Sequence, residues 1–323
     1  MTSSLSKYQE AIEKVLSNYQ LPEQPANLYD PIRYFLNLGG KRMRPVLTLM
    51  SHELFHPEYN RAMAAALSIE LFHNFSLIHD DIMDEAPLRR GKETVHSKWN
   101  SNIAILSGDV LLVEGFKLLT TYDGTVLKRT LELFNRTATE VCDGQQMDMD
   151  FESLDEVPID DYLKMIRLKT AVLVGCSLEM GAIVGEASDS DCKELYNFGV
   201  NLGIAFQLQD DILDVYAHGD QFGKQIGGDI ISNKKTYLLL RALEDADEEQ
   251  KERLRALLQE TDPQTKVKGV MALYEELNIR EKATQRMNEY HATAMGNLND
   301  IQVAEDKKEA LRLLADFLLN RQH

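Results

Sequence analysis

Three long stretches repeat apolar residues at intervals of three and four, and that spacing favours helices over any other element. They are "AMAAALSIELFHNFSLIHDDIMD" (62–84), "YLKMIRLKTAVLVGCSLEMGAIV" (162–184) and "NFGVNLGIAFQLQDDILDVY" (197–216). No stretch alternates apolar and polar residues as a half-buried strand does. The breaks "FHPEY", "TYDGT", "SLDEVPIDD", "GEASDSD", "HGDQFGKQIGGD" and "QETDPQT" are short Gly, Pro and Asp clusters of the kind that join helices. No long or low-complexity linker divides the chain. The expectation is therefore an all-α fold of about ten or more helices forming one domain over residues 1–323.

The N-terminal "MTSSLSKYQEAIEKVLSNY" reads as an amphipathic helix interrupted by Lys7, Glu10, Glu13 and Lys14, unlike the apolar core of a signal peptide. The most apolar later stretch, "TAVLVGCSLEMGAIVGEAS", carries Glu179 and falls short of the ~20 apolar residues of a membrane helix. It reads as a buried core helix, and no stable membrane insertion is expected. Lys and Arg number 35 against 52 Asp and Glu, a net charge of -17, which argues against nucleic acid or an anionic membrane as partner. Any basic cluster is local and needs a local reason. Cys142, Cys176 and Cys192 form no Cys-x-x-Cys pair, which fits a reducing, cytoplasmic setting.

"HDDIMD" (79–84) recurs in form as "QDDILD" (209–214), 130 residues later (210 minus 80). In a helix, residues four apart share a face, so Asp80 lies beside Asp84 and Asp210 beside Asp214. Each pair repels itself. A solvated helix end tolerates that, and so does a multivalent cation. Two clusters with the same spacing favour the cation, and the sets Asp80, Asp81, Asp84 and Asp210, Asp211, Asp214 become candidate metal ligands. Neither segment has the alternating oxygens, central Gly and closing Glu of an EF-hand. Hard carboxylate oxygens select Mg²⁺ or Mn²⁺ over zinc, and Mg²⁺ usually completes its shell with substrate phosphates.

That chemistry gives the basic islands a use. Arg89 and Arg90 leave the first acidic helix after Pro87 and can grip phosphate bidentately. "GGKRMRP" (39–45) is expected to place Lys41 and Arg44 on one helical face beside two glycines that permit close backbone approach. His73, seven residues before Asp80, shares the carboxylate face. Lys169 with Thr170, and Lys224 and Lys234 in a Gly-rich loop, supply further phosphate donors. Taken singly, each island could equally be a solvated surface patch.

Taken together, the two acidic motifs, "GGKRMRP", "RRG", the Lys169-Thr170 pair and "GKQIGGD" resemble the trans-prenyl diphosphate synthases over most of residues 39–236. The resemblance implies an all-α bundle around a central active-site cavity, usually homodimeric, with the two acidic helices facing each other across its mouth. It implies head-to-tail elongation of an allylic diphosphate (dimethylallyl, geranyl or farnesyl) with isopentenyl diphosphate. Asp80 and Asp84 would bind Mg²⁺ on one side of the allylic diphosphate and Asp210 another ion opposite, with Asp211 and Asp214 in support. Arg89, Lys169, Lys224 and Lys234 would hold that diphosphate. Lys41, Arg44, His73 and Arg90 would hold isopentenyl diphosphate, while Thr170, Phe206 and Gln207 line the reacting carbons. Gln145 and Asp148 fall at further matching positions. "EAP" before Arg89 and Gln225 in place of a frequent proline depart from the family pattern.

Chain length in such enzymes depends on the turns before the first acidic motif, here Phe72, Phe75 and Ser76. One aromatic followed by a small residue resembles a geranylgeranyl (C20) synthase more than a farnesyl (C15) synthase. Phe72 could equally be the floor. A class I terpene cyclase has a different second metal motif and no use for a second basic site. A non-catalytic partner subunit commonly lacks one acidic motif, and both are intact here.

Overall fold

The computed structural model describes residues 2–216 and 227–320, and helices carry most of them. The chain begins with α1 (Thr2–Leu16), α2 (Ala26–Leu36), α3 (Met43–Phe55), a 3₁₀ turn (Tyr59–Ala62) and α4 (Met63–Met83). A minimal hairpin, β1 (Leu88–Arg89) with β2 (Lys92–Glu93), precedes α5 (Val95–Lys98), α6 (Ser101–Leu119) and α7 (Gly124–Ser153). Next come α8 (Ile159–Ile166), a π turn (Arg167–Ala171), α9 (Val172–Val184) and α10 (Asp189–Tyr216). The later elements are α11 (Gly228–Ile231), α12 (Tyr237–Asp245), α13 (Glu248–Leu258), α14 (Pro263–Glu276), α15 (Ile279–Asp300) and α16 (Glu305–Asn320). The all-α expectation holds. The hairpin corrects the expectation of no strands: two-residue strands are too short to show alternation.

The residues group into two compact units. The first comprises Met1–Asn135, Cys176–Leu195 and Gln302–Ala310, and the second Arg136–Gly175, Tyr196–Ile301 and Leu311–His323. In the first unit α4 is the central element, because every residue from Ala65 to Phe72 is buried, as a helix that is apolar all round must be. Its most extensive neighbour is α6, followed by α3. Residues 176–184 of α9 come close to α3: Ser51 Oγ donates to the Leu178 carbonyl at 2.6 Å, and a Cβ at Gly181 would stand 2.1 Å from the Thr48 carbonyl oxygen. Only glycine fits there.

The core of the second unit draws on α8, α12, α14 and α15 around the fully buried Tyr274. On α10, Ala205, Leu208, Ile212 and Val215 face inward at helical spacing. Phe206, Gln207, Asp210 and Asp214 therefore share the other face, each partly exposed. Among the described residues no helix is long and apolar enough to cross a membrane.

Gly181→Ala should destabilise the protein. Alanine is better in a helix by about 1 kcal/mol, but the added carbon meets backbone atoms that cannot swing aside, and overpacking typically costs about 1 to 3 kcal/mol. The urea midpoint should fall. A raised midpoint would show that α3 and residues 176–184 separate at little cost.

Candidate active site

The first acidic motif ends α4, and the helix turn divides its carboxylates. Asp80 is partly exposed and Asp84, at the C-cap, is exposed. Asp81 lies about 100° round the helix and is only 1% exposed. Its Oδ1 accepts from Arg89 Nε at 2.7 Å and Nη2 at 2.6 Å. Arg89 Nη2 also stands 3.7 Å from Asp80 Oδ2. Burial pushes the Asp81 carboxyl above its ordinary range, and the Arg89 hydrogen bond opposes that rise.

The chain leaves α4 through a Schellman turn. Glu85 N–H donates to the Ile82 carbonyl and Ala86 N–H to that of Asp81, with Glu85 in the left-handed region at φ 50°. The hairpin then turns through Arg90 and Gly91, both at positive φ, as a two-residue turn of the primed type requires. Thr94 Oγ1 anchors it by donating to the Ala86 carbonyl at 2.8 Å. The two arginines diverge. Arg89 returns to Asp81, while Arg90 Nη1 donates to the Gly39 carbonyl and lies against Gly40.

The second basic island departs from the sequence expectation. Lys41 is not helical, because α3 starts at Met43 and Arg42, its N-cap, is left-handed at φ 48°. Lys41 therefore shares no helical face with Arg44. It sits exposed in the loop between α2 and α3, where Gln9 Nε2 donates to its carbonyl at 2.9 Å. Arg44 does reach His73, with Nη1 3.1 Å from Nε2. A guanidinium can only donate, so Nε2 accepts and the imidazole is neutral. Burial, then the charges of Arg44, Arg90, Arg89 and Arg42, hold His73 well below its ordinary pKa. Two partners were not foreseen: Glu70 and Arg42 form a buried ion pair at 2.6 Å. The signal was a lone carboxylate inside the apolar "LSIELF".

The second motif divides in the same way. Asp210 is partly exposed, and Asp214 Oδ2 accepts from Asp229 N–H at 2.9 Å. Asp211 is 5% exposed, accepting from Tyr162 Oη at 2.5 Å and Tyr237 N–H at 3.3 Å. Burial raises its pKa to about 7 against the Tyr162 bond, which lowers it. Tyr162 was not foreseen either. Lys169 and Thr170 fall in the π turn, a distortion frequent at functional sites. It presses on α7 where Gly144 leaves room, since a Cβ there would stand 2.2 Å from Lys169 N. Lys169 Nζ contacts Asp148 Oδ2 at 2.5 Å, and Gln145 Nε2 is buried without a hydrogen-bond partner. Lys234 is exposed beyond α11, and its charge lowers Asp211. Lys224 and Gln225 lie outside the described residues.

Phe72 is 2% exposed, its ring 5.4 Å from Phe134 in an edge contact. Phe75 is partly exposed, 5.6 Å from Phe72 and 4.7 Å from His79. Ser76 is partly exposed beside it, its Oγ donating to the His73 carbonyl at 2.9 Å.

Among the described residues no three His, Cys, Asp or Glu side chains form a ready cage for a metal ion. Each motif instead has two hard carboxylates at positions four apart. That donor set fits Mg²⁺, which commonly takes one or two carboxylates and completes its shell with water and substrate phosphate.

Paired Asp-Asp-x-x-Asp helices with separate cationic loops, on an all-α fold, define a class of diphosphate-processing prenyltransferase. The family model for polyprenyl synthetase matches residues 25–277, and the chain belongs to that family. It is 38% identical to the geranylgeranyl pyrophosphate synthase of Geoglobus acetivorans over 317 residues, 97% of this chain and 96% of that one. A crystal structure of a geranylgeranyl pyrophosphate synthase superposes with a TM-score of 0.92 at 41% identity, covering 100% and 99% of the two chains. That of the geranylgeranyl pyrophosphate synthetase from Pyrococcus horikoshii Ot3 gives 0.89 at 35% identity, covering 99% and 96%.

A partly buried, neutral His73 has a pH signature. Its folded pKa lies below the unfolded value of about 6.5, so the unfolded chain binds more protons as pH falls. The stability it contributes is present above about pH 6.5 and lost as pH falls toward the folded value. The denaturation midpoint of wild type should drop between pH 7.5 and 5, and that of His73→Gln should drop less. His52, also held low by burial, contributes to both proteins alike. Equal slopes would mean that His73 binds protons alike in the folded and unfolded chains.

Proposed function

We propose that this prenyltransferase elongates an allylic diphosphate with isopentenyl diphosphate, head to tail, to a C20 all-trans product. The observation that carries the reading is the shared division of the two acidic motifs. Each keeps its second Asp on a fixed internal donor and leaves its first on the exposed side of the helix. Intact motifs in duplicate suit a catalytic chain, and a second basic cluster suits two diphosphates, where a cyclase has one. The whole chain is assigned to one prenyl synthase domain.

Asp80, Asp84, Asp210 and Asp214 are assigned to hold Mg²⁺, with Asp81 and Asp211 positioning the helices behind them. When bound, the ions supply charge stabilisation to the departing diphosphate. Arg89, Lys169, Lys224 and Lys234 hold that diphosphate by charge-assisted hydrogen bonds, which also favour its departure. Breakage of the allylic carbon–oxygen bond leaves a delocalised carbocation. The double bond of isopentenyl diphosphate, held by Lys41, Arg44, His73 and Arg90, attacks it, and a proton passes to the released diphosphate. Thr170, Phe206 and Gln207 face the reacting carbons and exclude water that would quench the cation. No side-chain nucleophile is required.

The C20 product is supported by Phe75 followed by the small Ser76, and by the names of the similar proteins above. A farnesyl synthase is the less supported alternative. A homodimer is supported by Leu106 and Val113, seven residues apart on α6 and 58% and 61% exposed, with Ile105 beside them. A cytoplasmic setting is supported by three cysteines that are free thiols.

Purified protein given isopentenyl diphosphate, Mg²⁺ and each allylic primer in turn should yield mainly C20 after dephosphorylation and chromatography. A C15 majority would overturn the length assignment. Chelation should abolish turnover, and Asp80→Ala or Asp210→Ala should each lower it by roughly two orders of magnitude or more. Undiminished turnover in either variant would refute the metal assignment. Phe75→Ala should shift product beyond C20, and an unchanged distribution would move the floor elsewhere.

A further inference from the structure

We propose that Arg42, gripped by Glu13 and Glu70, is a positioning residue for isopentenyl diphosphate, so that the N-terminal helix α1 sets the affinity for that substrate. The inference rests on the assignment of Lys41, Arg44, His73 and Arg90 given above.

Arg42 is 4% exposed and adopts a left-handed backbone, which its Cβ disfavours, so neighbours must hold it there. Three acceptors do. Nε donates to Glu13 Oε1 at 2.7 Å, Nη1 to Glu70 Oε1 at 2.6 Å and Nη2 to the Leu36 carbonyl at 2.7 Å. Leu36 ends α2 and Arg42 caps α3, so one guanidinium closes the loop between them, residues 37–41. That loop carries Gly39, whose carbonyl receives Arg90, and Lys41.

Helix α1 grips the same loop twice. Gln9 and Glu13 are four apart on one face; Gln9 holds the Lys41 carbonyl and Glu13 holds Arg42. On α4, Glu70 is fixed in turn, its Oε1 accepting from Asn74 Nδ2 at 3.1 Å. His73 follows one turn later and meets Arg44. The charges are apportioned accordingly. Glu13 and Glu70 are engaged by Arg42, while Arg44 faces a neutral imidazole and Arg90 a carbonyl. Among the described residues neither Arg44 nor Arg90 is paired with a carboxylate, so both remain available to an anionic ligand.

The test is steady-state kinetics with each substrate varied in turn, for wild type, the double variant Gln9→Ala/Glu13→Gln, Glu70→Gln, and Arg44→Ala as the marker of the binding assignment. The double variant changes a partly exposed face of α1, with the Glu13 side chain 46% exposed, so folding should survive even if Glu70→Gln fails to fold. It should raise KM for isopentenyl diphosphate about tenfold, equivalent to about 1.4 kcal/mol, while KM for the allylic primer, kcat and the thermal midpoint stay close to wild type. If Arg44→Ala raises that KM and the double variant does not, or if the double variant raises both KM values together, the positioning role is refuted. If Arg44→Ala leaves the KM for isopentenyl diphosphate unchanged, the binding assignment itself fails and the proposal falls with it.

Discussion

A carboxylate taken out of water must meet a fixed donor, and the parts of this protein that carry the candidate chemistry hang on three such meetings. Asp81 with Arg89 folds the hairpin back onto α4, Glu70 with Arg42 closes the basic loop, and Asp211 with Tyr162 ties α8 to α10. Removing one partner of a buried ion pair typically costs about 3 to 5 kcal/mol, because the other charge is left unpaired. An exposed pair such as Lys128 with Glu132, 75% and 65% exposed, belongs to a class worth about 0.2 to 1 kcal/mol. The buried pairs, and not the more numerous surface ones, therefore decide where the hairpin and the basic loop sit.

The same constraint accounts for the second Asp in each motif. A helix cannot present two adjacent side chains on one face, so a motif with adjacent carboxylates sends the second inward. In α4 an arginine receives it, and in α10 a tyrosine and a backbone amide do. The different donors suit different tasks. Arg89 remains 25% exposed and close to Asp80, able to serve both an internal and an external anion, whereas Tyr162, at 2%, is purely internal.

What the sequence made legible follows from what is periodic. The helices α4 and α10, the common face of Asp80 with Asp84, and the buried character of 172–184 all come from a repeat of 3.6 residues. The failures come from interactions without a period. Lys41 was expected on a helix because "GGKRMRP" leads directly into one, and the left-handed Arg42 that delays the start depends on Glu70, 28 residues away. The π turn at Arg167–Ala171 was invisible because one extra residue in a turn leaves apolar neighbours apolar. The bare backbone at Gly144, against which it packs, lies in another helix. Adjacent arginines give no sign of which way each turns: Arg89 ends β1 and Arg90 opens the left-handed turn, in a hairpin too short to announce itself.

Helix α4 serves both as core and as candidate product gauge, and these demands conflict most at its aromatics. Phe72 is nearly fully buried against Phe134, which in turn meets Phe116 at 4.7 Å, so truncating Phe72 would open a cavity at a cost of about 3 to 5 kcal/mol. Phe75 is partly exposed, and its ring meets those of Phe72 and His79. A change there removes less buried surface. Since apolar stabilisation scales with the area taken from water, position 75 can vary with less loss of stability than position 72. A change at Phe75 or Ser76 therefore leaves intact the core that holds Asp80 and Asp84 in place, which is what a product gauge on this helix would require.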